Sequence, residues 1–360
     1  MNKDSGRSKG SVAAWLSALV SVAAAFLLAV PVAAQAAAGA TNEAVYMYRG
    51  ADRDQRLLEQ ARKEGSLVLY TSLALKQSQP LAKAFEKKYG VKVELWRALS
   101  SDVLQRTIAE GRARRYSVDV VETNGPEMEA IGREKLLSEF YSPYFADLPA
   151  SAMPPSRMWV TDRLEFYAVA YNTNMIKRAD IPKSYEGFLD PKWRGKIGIE
   201  ATDSDWMAAI VNKWGTERGM KFFRALAAMK PDMRKGHILL AQMVAAGEVP
   251  VALSAYNANV VTLKRRGAPI DWIPVDPVVG RPQGIGLARH APHPHAALLF
   301  ADYVLSPEGQ QLLSSMGRVP ASLKVKSDMN NFPYVMINPA TVLDENQKWE
   351  DLWDKLFLNK

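Results

Sequence analysis

The chain has no cysteine. That single absence excludes thiol catalysis, thiolate metal sites and disulfides, so the core must hold by packing alone. Histidine is nearly as scarce, with four residues in 360. Three of them crowd into His290, His293 and His295, and the fourth, His237, falls in a predicted helix. A Ser–His–Asp triad therefore has no supporting pattern. The sequence also lacks a Gly-x-Ser-x-Gly elbow, a phosphate loop, a His-Glu-x-x-His motif and a dinucleotide fingerprint. It lacks internal repeats, and it lacks aromatic residues interleaved with basic ones, so nucleic acid is not an expected partner. The expectation is of no enzymatic turnover and no cofactor.

One long hydrophobic run is present. Lys3, Arg7 and Lys9 precede an uncharged stretch, 11–34, and Ala34-Gln35-Ala36 forms a small-residue cleavage site. This predicts a signal peptide over 1–36, with export to a bacterial periplasm. The competing reading, an uncleaved anchor, rests on the length of the run. Pro31 and the small residues at its end favour cleavage. No cysteine follows the run to carry a lipid, and no paired arginine suggests export in the folded state. The formal charge is +8, and removing three basic residues and one acidic residue with the signal leaves about +6. The basic blocks at 112–115 and 264–266 fall near predicted helix ends, where cations are favourable.

The stretch at 247–267, GEVPVALSAYNANVVTLKRRG, organises the rest. Residues 249–253 are apolar and β-branched, as in a buried strand. Polar Ser254, Tyr256, Asn257 and Asn259 follow, then a helix-like segment at 260–266 that Gly267 is placed to end. A buried strand ending in hydroxyls and amides before a helix is the layout of a ligand-facing turn in an α/β sheet. The same order recurs upstream: strand 67–70, helix 75–89, strand 91–96, helix 100–112 opened by Ser100 or Ser101, strand 118–121, helix 127–134. Strand 166–171, strand 197–199, a helix capped by 202–205, helices 220–229 and 237–246, and extended 270–287 come next. Helices 294–305 and 306–315 follow, the second with Ser306 as cap, Pro307 in the first turn and Glu308 beside it. Trp349, Leu352, Trp353 and Leu356 share one helical face and read as core. The fold class is α/β, with doubly wound sheets.

The polar residues at the strand-to-helix turns are the candidate ligand contacts: Ser72, Arg97, Thr123, Asn124, Asp203, Ser204, Tyr256 and Asn257. Glu165 and Tyr167 join them where the chain leaves the first block. Each alone reads as a cap or turn former. Together they gather on one sheet edge, where helix N-termini favour anionic or polar ligands. The histidines at 290–295 read as an exposed loop and helix start, since no acid lies near them in sequence to orient a metal.

At this point the ordered segments resemble a known family. LVLYTS, AFEKKYGVKVEL, SSDVLQRTIAEGRARRYSVDVVETNG, FYAVAYNTNMI, LDPKWRGKIGI, FADYVLSPEGQQLL and GRVPAS together look like the type II periplasmic solute-binding proteins of ABC importers, in the branch that includes ferric-ion-binding proteins. The resemblance spans 65–321. It implies two lobes joined by crossing strands near 164–167, 273–275 and 320: a first lobe of 37–164 plus 275–320 and a second of 165–274 plus 321–360. It implies a monomer that closes on a small-molecule solute and delivers it to a cognate ABC permease in the inner membrane. Ferric members use adjacent tyrosines at the end of the second lobe's strand. This chain reads Ala255-Tyr256-Asn257 there, so only Tyr256 matches, and Thr71-Ser72-Leu73-Ala74 stands where such proteins often supply a histidine. Ferric iron wants several anionic oxygens, so the expectation is a small polar or anionic solute and no resident metal. Fe3+ as the transported ligand, held through Tyr256, is the alternative. Thiamine and polyamines are bound by relatives, and Glu122 and Glu165 could serve such a cation. A periplasmic sensor subunit is the other-class alternative, and an exported hydrolase is a third.

Overall fold

The protein's computed structural model describes residues 42–358; the expected signal peptide lies outside the described residues. After α1 (Glu43–Tyr46) and α2 (Arg53–Glu64) the chain alternates regularly: β1 (Ser66–Thr71), α3 (Leu75–Tyr89), β2 (Lys92–Arg97), α4 (Ser100–Arg112), β3 (Val120–Asn124) and α5 (Gly125–Arg133). Helix α3 ends where Gly90 adopts φ 74°, a left-handed turn that a side chain would resist. A two-residue β4 (Leu137–Ser138) and short 3-10 turns fill the Pro-rich interval before β5 (Val160–Asn172).

The second half repeats the logic with β6 (Ile197–Glu200), α6 (Ser204–Trp214), α7 (Thr216–Ala228), β7 (Asp232–Arg234), α8 (His237–Ala246), β8 (Val251–Tyr256) and α9 (Asn257–Lys264). Then β9 (Ile270–Ile273) and β10 (Val278–Ala288) return to the middle of the molecule. Then come α10 (Pro294–Leu305), α11 (Pro307–Ser315), β11 (Val319–Pro320), β12 (Tyr334–Met336), α12 (Pro339–Asp344) and α13 (Asn346–Trp353), followed by a wide helical turn, Asp354–Leu358.

The strands join in one mixed sheet of order β2-β1-β3-β10-β5-β8-β6-β7. Its ends are two parallel triplets, β2-β1-β3 and β8-β6-β7. Between them β10 and β5 run antiparallel to each other and to their neighbours. Each triplet has its own apolar core. Leu67, Leu69, Phe85, Phe300 and Tyr303 pack one face of the first, and Trp206, Phe222, Phe223, Trp349 and Trp353 pack the second. The C-terminal tryptophans are core, as their helical spacing predicts.

Two strands run further than their apolar residues suggest. Strand β5 has 13 residues, although 160–165 (VTDRLE) reads as polar. Burial of its charges is compensated: Arg163 pairs with Asp162 at 2.8 Å and with Glu122, and Glu165 pairs with Arg318 at 2.7 Å. Strand β3 continues through Glu122 for the same reason, and Thr71 also donates to that carboxylate at 2.6 Å. Glu122 is thus occupied and is not a ligand for a cationic solute. Close approach sets one further residue: a Cβ on Gly125 would stand 2.9 Å from Pro282 and 2.8 Å from Pro339, so glycine lets β10 and α12 press on the start of α5.

The histidine-rich loop departs from the reading of an exposed turn. His293 Nδ1 lies 3.0 Å from buried Asp119, and His295 Nδ1 lies 2.7 Å from Glu64. Glu64 also accepts from the backbone N–H of Ala296 at 2.7 Å, capping α10 from a distance. The acids come from far in sequence, which is why inspection of nearby residues missed them.

Candidate functional site

Parallel pairing aligns the carboxyl ends of each triplet. Thr71 stands opposite Arg97 and Glu122, so the turns after β1, β2 and β3 lie side by side. In the other half Glu200 pairs with Arg234, and the Glu200 N–H donates to Ser254 Oγ at 3.0 Å. Both sets of turns face one cavity of about 700 Å³.

The first wall carries Ser72, Arg97, Ser100, Ser101 and Asn124. Sequence inspection expects Ser100 or Ser101 to cap α4, but the N-cap is Leu99, and the two serines lie inside the first turn. Six helices begin at the cavity: α3, α4 and α5 on one side, α6, α8 and α9 on the other. None of their N-cap residues caps its helix with a side chain. The dipole ends at these starts favour an anion, although in α6 the Trp206 N–H is already taken by Asp205 Oδ1 at 2.8 Å. Arg97 reaches only the Ser72 carbonyl, at 3.5 Å, and its Nε has no partner. Neither Arg97 nor Lys235, also on the cavity wall, forms an ion pair among the described residues.

The remaining arginines are committed. Arg281, from β10, lies 3.0 Å from Asp205 Oδ2 and 3.8 Å from Glu127, and donates to the Tyr256 hydroxyl at 3.0 Å. Tyr167 donates to Asp205 Oδ1 at 2.9 Å. Burial raises the Tyr256 hydroxyl above its ordinary pKa against the pull of Arg281, so it stays a neutral phenol. Arg318 donates to Asn259 at 3.3 Å as well as to Glu165.

Beside Tyr256 lies a compact polar cluster. The His237 ring stacks on Tyr256 with centroids 3.6 Å apart. Its Nδ1 sits 3.1 Å from the Ser254 carbonyl, and its Nε2 sits 3.2 Å from Asp203 Oδ1. Burial pushes the Asp203 carboxyl up to about 7, with His237 pulling it back. Glu200 accepts from the N–H groups of Gly236 and Thr202, at 2.7 and 2.5 Å.

A third wall comes from the C-terminal strap. Val342, Leu343, Asn346 and Glu350 line the cavity. The strap holds the first half through an Arg133–Asp344 ion pair and the second through buried Trp349 and Trp353, the latter donating to the Ala201 carbonyl at 2.8 Å.

Of the residues singled out from sequence, Ser72, Arg97, Asn124, Glu165, Ser204 and Tyr256 line the cavity. Four stand behind it. Thr123 is buried and donates to Ser72 at 3.2 Å. Tyr167 holds Asp205, Asp203 turns to His237 instead of capping α6, and Asn257 donates to the Met329 carbonyl at 2.9 Å. Sequence reasoning missed Glu127, Lys235, His237, Arg281 and Arg318. His237 opens α8 just after β7, a three-residue strand that the sequence reading did not place. Arg281 sits in an extended stretch with no motif.

Residues 80–332 match the family described as bacterial extracellular solute-binding protein. The chain belongs to this family. The solute-binding protein is 24% identical over 263 residues to an Fe(3+)-binding periplasmic protein of Serratia marcescens, covering 70% of this chain and 77% of that one. It is 22% identical over 299 residues to the major ferric iron-binding protein of Neisseria meningitidis serogroup A, covering 77% and 87%. Among solved structures it resembles iron-bound HitA from Pseudomonas aeruginosa, with TM-score 0.70, 22% identity, and 80% and 99% of the two chains covered. It also resembles AfuA from Actinobacillus pleuropneumoniae with fructose-6-phosphate bound, with TM-score 0.71, 21% identity, and 81% and 98% covered. These structures share the two-lobed type II periplasmic-binding fold. The solute-binding protein has no helix long and apolar enough to cross a membrane among the described residues.

Proposed function

We propose that this solute-binding protein captures a small anionic organic solute in the cavity between its triplets and delivers it to an ABC permease. The observation that carries the reading is the pair of unpaired cations, Arg97 and Lys235, set among six uncapped helix starts. Such a surface stabilises phosphate or carboxylate groups. A cavity of about 700 Å³ suits a small organic molecule better than a bare ion. The lobes are 37–164 plus 275–320 and 165–274 plus 321–360, and closure bends β5 and β10, the strands common to both. The mature protein acts as a periplasmic monomer after loss of 1–36, and no turnover is expected. A thermal-shift screen of the purified protein against phosphorylated sugars, phosphonates, organic acids, thiamine, polyamines and Fe3+ tests the reading. An anionic hit that Arg97→Ala abolishes supports it; a hit by a polyamine alone contradicts it.

Ferric iron is the second reading. It is favoured by Tyr256 standing beside the Glu200, Asp203 and His237 group. Against it, Arg281 donates to the one matching phenol, at the place where a cation would have to sit. An iron-coloured protein that loses colour in Tyr256→Phe would favour it.

A further inference from the structure

The second wall contains a cluster that a plain anion site does not need. Side-chain ligand atoms of Glu200, Asp203 and His237 all lie within 4.8 Å of one another. Asp203 is 1% exposed, and neither of its carboxylate oxygens accepts a hydrogen bond. Its Oδ1 nevertheless sits 3.2 Å from His237 Nε2. An N···O separation of that size without donor alignment is how two ligands of one ion stand. Metal–ligand bonds of about 2.0–2.2 Å at a tetrahedral centre put neighbouring ligands roughly 3.3–3.5 Å apart.

The surroundings fit the same reading. Nδ1 of His237 lies against the Ser254 carbonyl. A proton held there leaves the Nε2 lone pair facing the carboxylates, the usual outer support of a metal-binding imidazole. The Glu200 carboxylate is fixed by the Gly236 and Thr202 N–H groups and by the Thr202 hydroxyl at 2.7 Å. Glu200 and His237 both border the cavity, while Asp203 stands behind them.

We propose that Glu200, Asp203 and His237 form a divalent transition-metal site on the second wall, with its fourth position open to the cavity and filled by the anionic group of the solute. One nitrogen and two carboxylates suit a borderline ion such as Zn2+ better than Fe3+, which favours more anionic oxygens. The site differs from the ferric reading because it needs neither Tyr256 nor the first wall. It rests on the cavity being the solute site, and it refines that reading: the solute is bound as a metal-bridged anion.

The test is titration of chelator-treated protein with Zn2+, and with Co2+ followed by visible absorption. One equivalent should bind, with the intense d–d bands of four-coordinate Co2+. His237→Asn and Asp203→Asn should weaken binding at least about 100-fold, while Tyr256→Phe changes it less than about threefold. Melting curves identify any variant that fails to fold, and Glu200→Gln then stands in as the readout. Absence of stoichiometric binding to the unsubstituted protein overturns the proposal, as does binding that survives His237→Asn, or binding lost in Tyr256→Phe. Repeating the anion screen in EDTA separates the two readings: anion shifts that persist undiminished without metal contradict the bridge and leave the solute reading standing.

Discussion

The first wall of the cavity, at the ends of β2-β1-β3, and the second, at the ends of β8-β6-β7, are built differently. The first wall offers groups with few side-chain partners among the described residues: Arg97, whose one contact is the Ser72 carbonyl at 3.5 Å, Ser100, Ser101 and three helix starts. The second wall and the central strands hold charges already matched to one another: Arg281 with Asp205 and Glu127, Arg318 with Glu165. Substitution should therefore separate affinity from stability on the first wall and mix them on the second. A buried charge stripped of its partner is costly, whereas a half-exposed cation at a cavity edge costs the fold little.

The largest effect should come from the matched strands. Arg163→Met leaves Glu122 and Asp162 buried without their cation and should cost about 3–5 kcal/mol in urea unfolding. Adding Glu122→Gln should recover part of that loss. A drop of less than about 1 kcal/mol for Arg163→Met would show that the pairing is not the support of β5 and β3. Next comes Trp353→Ala, which removes a buried ring from the second core and should cost about 3–5 kcal/mol, with the strap loosened from the second half. Unchanged stability would place α13 outside the core.

On the first wall the balance reverses. Arg97→Ala should lower solute affinity by roughly 10- to 100-fold, the loss of a charge-assisted hydrogen bond, and leave the melting temperature of the unliganded protein within a degree or so. A matched fall in both would make Arg97 structural and erase the contrast between walls. The smallest effect is expected of Arg133→Ala. Its pair with Asp344 is largely exposed, so stability should change by less than about 1 kcal/mol. The strap's hold on α5 weakens nonetheless, and faster hydrogen exchange at 339–344 should report it. Exchange unchanged there would locate the hold in Pro339 packing alone.

How much of this was written in the sequence depends on the kind of signal. Helices 75–89, 100–112 and 237–246 matched in both bounds, and Gly90 and Gly247 mark the ends of the first and third. The buried charged strands did not: Asp162 and Arg163 carry no apolar signal until Glu122, 41 residues from Arg163, is in place, and Glu165, expected at the cleft, also meets Arg318 from 153 residues away. The cavity followed the same rule. Ser72, Arg97, Asn124 and Tyr256 sit at strand-to-helix turns, where the α/β plan places ligands. Arg281 and the strap residues Asn346 and Glu350 belong to no such turn, and only the closing of the chain brings them there. Thr123, Tyr167 and Asn257 show the converse: right element, side chain turned inward.

Native mass spectrometry of the protein recovered from a bacterial periplasm tests the central claim most directly. The account predicts a single one-to-one adduct the size of a small organic anion on the unsubstituted protein, absent from Arg97→Ala. The same adduct retained in full by Arg97→Ala, or an iron ion as the sole adduct, would contradict it.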